Sequence, residues 1–419
     1  MTQSWLSTNR LRTTPAILRT WSVVITVLVL LAALLASLAA RQFVSGAEQI
    51  EQNTGPVLIS TQGLVASIAE ADAANTAVFL SGENEDRQQR RLYETALSRA
   101  PQQIEDISSG IGDDERSHDS LKVVASQLTE YAGLVERARL SNLAGSADAT
   151  DQLSASIDLV SGSNGMLANA RSVTERTQAS FDEDVDSGTV EWIGAVAVLA
   201  ISLVVLLIAQ GRLKKQTQRL INPPLLLATI LVSVLLVWLV LAQVGRVSDL
   251  NSARESGYDS IALTSQLQTA AFDYKTQEAR AIIESNASLL PGEDSLVAID
   301  VLLAALTAEA DDNRENSAIA GLQTRWERYV GTSDRIRAAL SSGSEAAARD
   351  IAIGDGNRDF NGFNTTVESV LLANRDQFDA SVSSAANRLN WLQLGAVLLP
   401  LLAAILALAG YQSRINEYW

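Results

Sequence analysis

Four stretches of the chain are apolar from end to end: residues 21–40, 192–210, 225–244 and 391–410. None contains Asp, Glu, Lys or Arg, and each is close to the roughly 20 residues a helix needs to cross the hydrocarbon core. Trp21, Trp192, Trp238 and Trp391 fall at or near the ends of these stretches, where indole rings prefer the membrane interface. Between them lie two long segments, 41–191 and 245–390, whose pattern is helical. Val57, Thr61, Leu64, Ile68, Ala71, Asn75 and Val78 follow alternating four- and three-residue steps, the seam of packed helices. Ile261, Ser265, Gln268, Phe272, Lys275, Ala279 and Ile282 form the corresponding, more polar row 204 positions later.

That correspondence extends further. Tyr131-Ala-Gly133-Leu-Val-Glu-Arg137-Ala-Arg139 is echoed by Tyr329-Val-Gly331-Thr-Ser-Asp-Arg335-Ile-Arg337. Each stretch runs into a turn rich in Ser, Gly and Ala, and Phe181-Asp182 and Phe378-Asp379 recur near the ends of the two segments. The pattern is an internal repeat of span, helical segment, span. Turn signals at Ser81-Gly82, Gly110-Ile-Gly112 and Ser161-Gly162 divide the first segment into four helices. Pro291-Gly292, Ser341–Ser344 and Gly354-Asp-Gly356 do the same for the second. The expected fold is an all-α integral membrane protein with four transmembrane helices and two antiparallel four-helix bundles from an internal duplication.

Charge sets the expected orientation. Arg10, Arg12 and Arg19 precede the first span, and Arg212, Lys214, Lys215 and Arg219 fill the linker 211–224 without an acid among them. The positive-inside rule puts the tail 1–20, the linker and the end 411–419 in the cytoplasm, and both bundles outside the plasma membrane. The outer segments hold 25 acids against 11 bases and 22 against 13, within a chain of net charge −16. Ser37-Leu-Ala-Ala40 resembles a signal-peptide cleavage site, but the apolar run is longer than a signal core. That acidity argues against a nucleic-acid partner.

Candidate chemistry is sparse. The chain has no cysteine and one histidine, His118, so neither a thiolate or His metal site nor a Ser/His/Asp triad is expected. No cofactor and no enzymatic activity are expected, and Asp113-Asp114 and Asp311-Asp312 read as turn and cap acids. The acidic run at Asp182, Glu183, Asp184 and Asp186 reads as a solvated face above the second span. Spans without ionisable residues speak against transport. Two features could contact a ligand or partner. One is the recurring pair Arg137/Arg139 and Arg335/Arg337, whose alternative role is interhelical salt bridging. The other is Lys275, which needs a carboxylate or a ligand if buried, unless the seam is rotated and its stem reaches outward.

Tyr258-Asp259-Ser260, the stretch Ala271-Phe-Asp-Tyr-Lys275-Thr-Gln-Glu278 and the ending Ser413-Arg414-Ile415-Asn416-Glu417-Tyr418-Trp419 resemble the GlnX-type actinobacterial membrane proteins. The closing Trp419 stands where that group carries arginine. The bundles are also similar to the sensor modules of chemoreceptors and histidine kinases. The resemblance implies a signal transducer between an extracytoplasmic solute-binding lipoprotein (GlnH), which senses amino acids such as aspartate and glutamate, and a cytoplasmic Ser/Thr protein kinase (PknG). The basic linker residues Arg212, Lys214, Lys215 and Arg219 are then candidate contacts for the kinase. A direct receptor for a small anionic ligand and an envelope assembly scaffold are the alternatives. A homodimer is possible, although two bundles in one chain could pair with each other.

Overall fold

The structure, a computed structural model, describes residues 14–83, 85–186, 189–217, 222–310, 313–388 and 391–415. The tail residues Arg10 and Arg12, the linker residue Arg219, the acids Asp311 and Asp312, and the end 416–419 lie outside the described residues. Among those described the chain is helical, with no strand. The helices are α1 Thr14–Gln49, α2 Gly55–Ser81, α3 Arg87–Gly110, α4 Glu115–Leu143, α5 Ala149–Ser161, α6 Met166–Asp186 and α7 Thr189–Thr217. The same order then recurs as α8 Pro223–Ser252, α9 Ser260–Ile283, α10 Glu293–Glu309, α11 Asn313–Ser341, α12 Glu345–Ile351, α13 Asn357–Arg388 and α14 Leu392–Ile415. A π-helical turn joins α1 to α2 at Ile50–Thr54, and another joins α8 to α9 at Ala253–Asp259. The backbone therefore stays helical from Thr14 to Ser81 and from Pro223 to Ile283.

The helices form two compact units. One comprises Met1–Gln49, Glu183–Leu250 and Val382–Trp419. Among the described residues it contains the apolar parts of four helices long and apolar enough to cross a membrane, as expected of a multi-pass membrane protein. Helix α1 packs on α7 and α14 through small residues, including Ala32, Ala36, Ala39 and Ala40 from α1 and Ala396, Ala403 and Ala407 from α14. Small side chains let helix backbones approach closely where lipid supplies no hydrophobic drive. Val23, Val27, Leu30 and Leu34 of α1 and Leu394, Leu398 and Ile405 of α14 face outward, a surface suited to acyl chains. The hydroxyls of Thr26, Ser202 and Ser233 donate to carbonyls four residues back, so they serve their own helices. Gln210 donates to the Thr229 hydroxyl at 2.6 Å and ties α7 to α8.

The other unit combines both long segments, Ile50–Asp182 and Asn251–Ser381. Helices α2 to α6 share one apolar core, built on Leu64, Ile68, Tyr93, Ala96, Val124, Tyr131, Val160 and Val173. An aromatic cluster of Phe272, Tyr274, Trp326, Tyr329, Phe360 and Phe363 joins α9, α11 and α13. Helices α2 and α9 pack against each other, so the two segments make one body. This explains why 22 of the 27 residues of α2 and 17 of the 24 of α9 are buried. A helix enclosed on all sides loses its polar stripe. The heptad row on α2 marks only the face toward its own bundle.

Most of the expected turns end helices, and one expected break is absent. Gly82 and Gly112, with φ of 60° and 59°, end helices where a side chain would be strained. Asp86 and Asp114 cap α3 and α4, and Asp86 accepts the backbone N–H groups of Gln88 and Gln89 at 2.8 and 3.3 Å. Asp114 thus has the capping role expected of it. The chain also breaks after Leu143, where the turn rich in Ser, Gly and Ala begins, and after Glu309, just before the paired acids Asp311-Asp312, although neither place is among the turn signals that divide the segments. Conversely, Gly354-Asp-Gly356 is no break: the chain passes through a π turn, Ala352–Gly356, and stays helical from Glu345 to Arg388. At the matching place in the first segment, a Cβ on Gly162 or Gly165 would lie 2.5–2.7 Å from the carbonyl of Asp158 or Val160, a tight turn only glycine fits. Gly354 has open space around it, so its conformation is optional and the helix continues.

Candidate functional site

Helices α2 and α9, which pack on each other along a seam, carry an unusual load of buried polar groups: Gln62, Glu70, Asp72, Asn75 and Thr76 on one, and Ser265, Gln268, Thr269, Lys275, Thr276 and Glu278 on the other. Buried polar atoms cost free energy unless they are paired, so a seam of this kind is a natural place for function.

Its far end centres on Lys275, which is 6% exposed. Its ammonium donates to Asn357 Oδ1 at 2.9 Å and sits 4.8 and 5.7 Å from the ring centroids of Phe360 and Tyr329. Asn357 passes the link on, donating to Asp86 Oδ2 at 3.2 Å, so a cap acid of the first segment is tied to a buried cation of the second. One turn along α9, the Glu278 carboxylate accepts from the Tyr329 hydroxyl at 3.0 Å and from Ser333, whose hydroxyl also meets that of Tyr274 at 3.0 Å. Burial pushes both ionisable groups toward neutrality. It brings the Lys275 ammonium down to about 8 against the opposing pull of Glu278 and Asp86, and it raises Glu278. Lys275 therefore points inward, and the rotated seam that would let it reach solvent is not observed.

Midway along the seam the acids are less well matched. Asp72 is 4% exposed, and its Oδ1 has no hydrogen-bonding partner. Burial, helped by the nearby Asp273 and opposed by the Tyr131 hydroxyl, lifts its carboxyl to about 7. Asp273 is exposed at the surface; the desolvation it undergoes from its neighbours raises its carboxyl, and Gln277 and Arg171 ease it down. Asp72 and Asp273 line a cleft of about 320 Å³ between α2, α9 and the start of α6, together with Thr269, Thr276 and Arg171. On the opposite side of α2, Glu70 pairs with Arg99 at 2.5 Å in a hollow of about 270 Å³ that Arg375 of α13 also lines.

The recurring arginines are placed separately. Arg139 bridges Glu136 at 3.1 Å and Glu85 at 3.4 Å, and Arg335 pairs with Asp355 at 2.9 Å. Arg337 donates to the Pro291 carbonyl at 2.7 Å, and Arg137 lies exposed on α4. In the membrane unit, the Arg212 guanidinium lies 4.7 Å over the ring of Trp21, while Lys214 and Lys215 fall on the last turns of α7.

Two features were not singled out from sequence. Arg246 of α8 is fully buried, 5.0 Å from the Phe43 ring, and donates to the carbonyls of Val185 (3.1 Å) and Asp184 (3.5 Å). It thus satisfies the last carbonyls of α6. The acids Asp72 and Asp273 were the other omission. Their available signal was the run of small residues Ala66, Ser67, Ala69, Ala73, Ala74 and Ala77 on several faces of α2, which marks a helix packed on more than one side.

Near the ends of the two segments, the repeated phenylalanines meet. Phe181 lies 6.1 Å from Phe378 and 6.0 Å from Tyr258, centroid to centroid. The Phe378 ring lies against Gly55, just after the first π turn, and its backbone against Gly257, within the second.

Comparison with known proteins fits this organisation. Residues 46–186 match the family described as "Actinobacterial sensor domain", which covers the first long segment. No curated protein matches the chain. A sensor domain points to a role in sensing or signalling.

Proposed function

We propose that the protein is a non-enzymatic transmembrane signal transducer that relays the state of an extracytoplasmic amino-acid-binding lipoprotein to a cytoplasmic Ser/Thr protein kinase. The observation that carries this reading is the unbroken helical backbone from the apolar half of α1 into α2 and from α8 into α9, together with the packing of α2 on α9. A change at the seam would shift or rotate both helices, and the basic linker after α7 would present that change to the kinase. The sensor-domain match over residues 46–186 supports the sensing half of the reading. The basic residues flanking the spans support an orientation with both long segments outside. The recurring order of helices and π turns supports descent of the two segments from one duplicated sensor module. Arg137 and Arg335, on matching helices α4 and α11, are exposed where a docking protein could reach them.

The linker test uses Arg212, Lys214, Lys215 and Arg219 changed together to Gln. The expected outcome is a protein that still inserts with unchanged topology, while the kinase-dependent response to external amino acid falls at least fivefold. An undiminished response in a correctly inserted variant would overturn the assignment of the linker.

A further inference from the structure

We infer that the cleft between α2, α6 and α9 is a binding site for a small molecule bearing a protonated primary amine, with Asp72 and Asp273 as its anionic ligands. The inference rests on the sensor reading in one respect only: it names what such a sensor would take at this seam.

A carboxylate buried as deeply as Asp72 ordinarily has an arginine, a lysine or several N–H donors turned toward it. Among the described residues Asp72 has no ion-pair partner, and the charge acting most strongly on it is the like charge of Asp273. By contrast, Glu70 lies two residues away on another face of the same helix and holds Arg99 at 2.5 Å. The two acids of α2 thus stand in opposite conditions: one is compensated by a cation of the chain, and the other lines a cavity with only the Tyr131 hydroxyl acting in its favour. The hydroxyls of Ser161, Ser163, Thr269 and Thr276 line the same cleft. They can accept the N–H bonds of an ammonium that two carboxylates leave over.

Size and composition narrow the class. A cleft of about 320 Å³ is at the lower end of small-molecule sites and far larger than a bare ion needs. Among the described residues no third acid or histidine joins the pair to make a metal-binding group. Leu167, Val160 and Ala168 supply an apolar wall, which suits a short carbon skeleton attached to the charge. Arg171 lines this cleft and an adjoining hollow of about 450 Å³. A guanidinium there would repel a diamine and attract a ligand carboxylate. The shared chemistry is the ammonium; a plain alkylamine and a zwitterionic amino acid both provide it.

The test is calorimetry on the purified full chain in lipid nanodiscs at pH 8, with n-propylamine and L-alanine as probes and propionate as the anionic control. At least one amine-bearing probe is expected to bind saturably, at one site per chain, and propionate is not. Asp72→Asn and Asp273→Asn, each checked by thermal unfolding to be folded, are expected to weaken that binding at least tenfold. Glu94→Gln, an acid on α3, is expected to leave it unchanged. If Arg171→Gln weakens L-alanine alone, the ligand is zwitterionic; if n-propylamine binds and L-alanine does not, it is a simple amine. Absence of saturable heat from both probes would overturn the site, as would equal affinity in Asp72→Asn or equal binding of propionate. No kinase takes part, so a failure here leaves the linker test standing, and a failure there leaves this one.

Discussion

At the residue scale, Asp72 sets a pH signature. Its carboxyl stands at about 7 in the folded chain because burial disfavours the charge, against about 3.9 for an unfolded aspartate. Between those values the folded state holds a proton that the unfolded state has released. Stability contributed by this group is therefore present at about pH 4 and is lost as pH rises through 7, with no further change above. A difference of that size corresponds to about 4 kcal/mol. Asp72→Asn keeps the shape, removes the ionisation, and is expected to be more stable than the parent at pH 8 but not at pH 5. Denaturant unfolding at the two pH values reads the difference directly, and parallel stability profiles for the two chains would refute the assignment. Lys275 works in the opposite direction: its lowered ammonium makes stability rise as pH climbs from about 8 toward the ordinary lysine range. Lys275 is present in both chains, so comparing variant and parent at the same pH cancels that contribution. Sequence pattern located Lys275, because a cation stood in an otherwise uncharged heptad row. It could not locate Asp72, because the row is defined by one helix face and Asp72 belongs to another.

At the element scale, the π turns are what the spacing of the seam could not show. The heptad rows begin only at Val57 and Ile261, past Ile50–Thr54 and Ala253–Asp259, and a π turn adds a residue without a turn-forming sequence to mark it. The repeated Phe-Asp pairs were legible as a recurrence, but not as a contact. Only the fold brings Phe181 and Phe378 within 6.1 Å and sets Phe378 against both turns. Gly257 is the critical residue there. A Cβ on it would lie 3.0 Å from the Cα of Phe378, a backbone atom that cannot rotate away. Gly257→Ala is therefore expected to destabilise the chain by about 1–3 kcal/mol through overpacking. Gly354→Ala, in the third π turn and in open space, is the matched control and should be neutral or slightly stabilising. Equal melting temperatures for the two variants would mean that the Phe378 contact does not constrain the turn. Glycine spacing alone made Gly354-Asp-Gly356 look like a break, because sequence does not reveal whether a glycine is crowded. The crowded Gly162 ends α5 and the crowded Gly165 precedes α6, whereas at the uncrowded Gly354 the helix continues.

At the scale of the whole molecule, the four spans and the helical nature of both long segments were legible, because length, hydropathy and period are local properties. What sequence did not disclose is that the two segments are one folding body. The joint rests on α2 and α9, where polar and small side chains replace the continuous apolar stripe that would have advertised it. Gln62 donates to the Tyr258 hydroxyl at 3.4 Å and Gln89 to Asn361 at 3.5 Å, and Asn357, which accepts from Lys275, donates across to Asp86, so each of these bonds ties the first segment to the second. If the joint is structural, neither segment can bury its central helix alone. Residues 50–182 without 251–381 would uncover the side of α2 that carries Gln62, Ala69 and Asp72. The isolated fragment is thus expected to aggregate, or to pair α2 with α2 of a second copy, and not to persist as a folded monomer. Co-expression with residues 251–381 should yield a soluble one-to-one complex that unfolds in a single cooperative transition. Size-exclusion chromatography with light scattering, followed by thermal unfolding, measures both. A cooperatively folding monomer of residues 50–182 would show that the seam is an optional contact between independent bundles. Motion at α2 would then have no obligatory route to α9, and the relay through both helices would lose its structural basis.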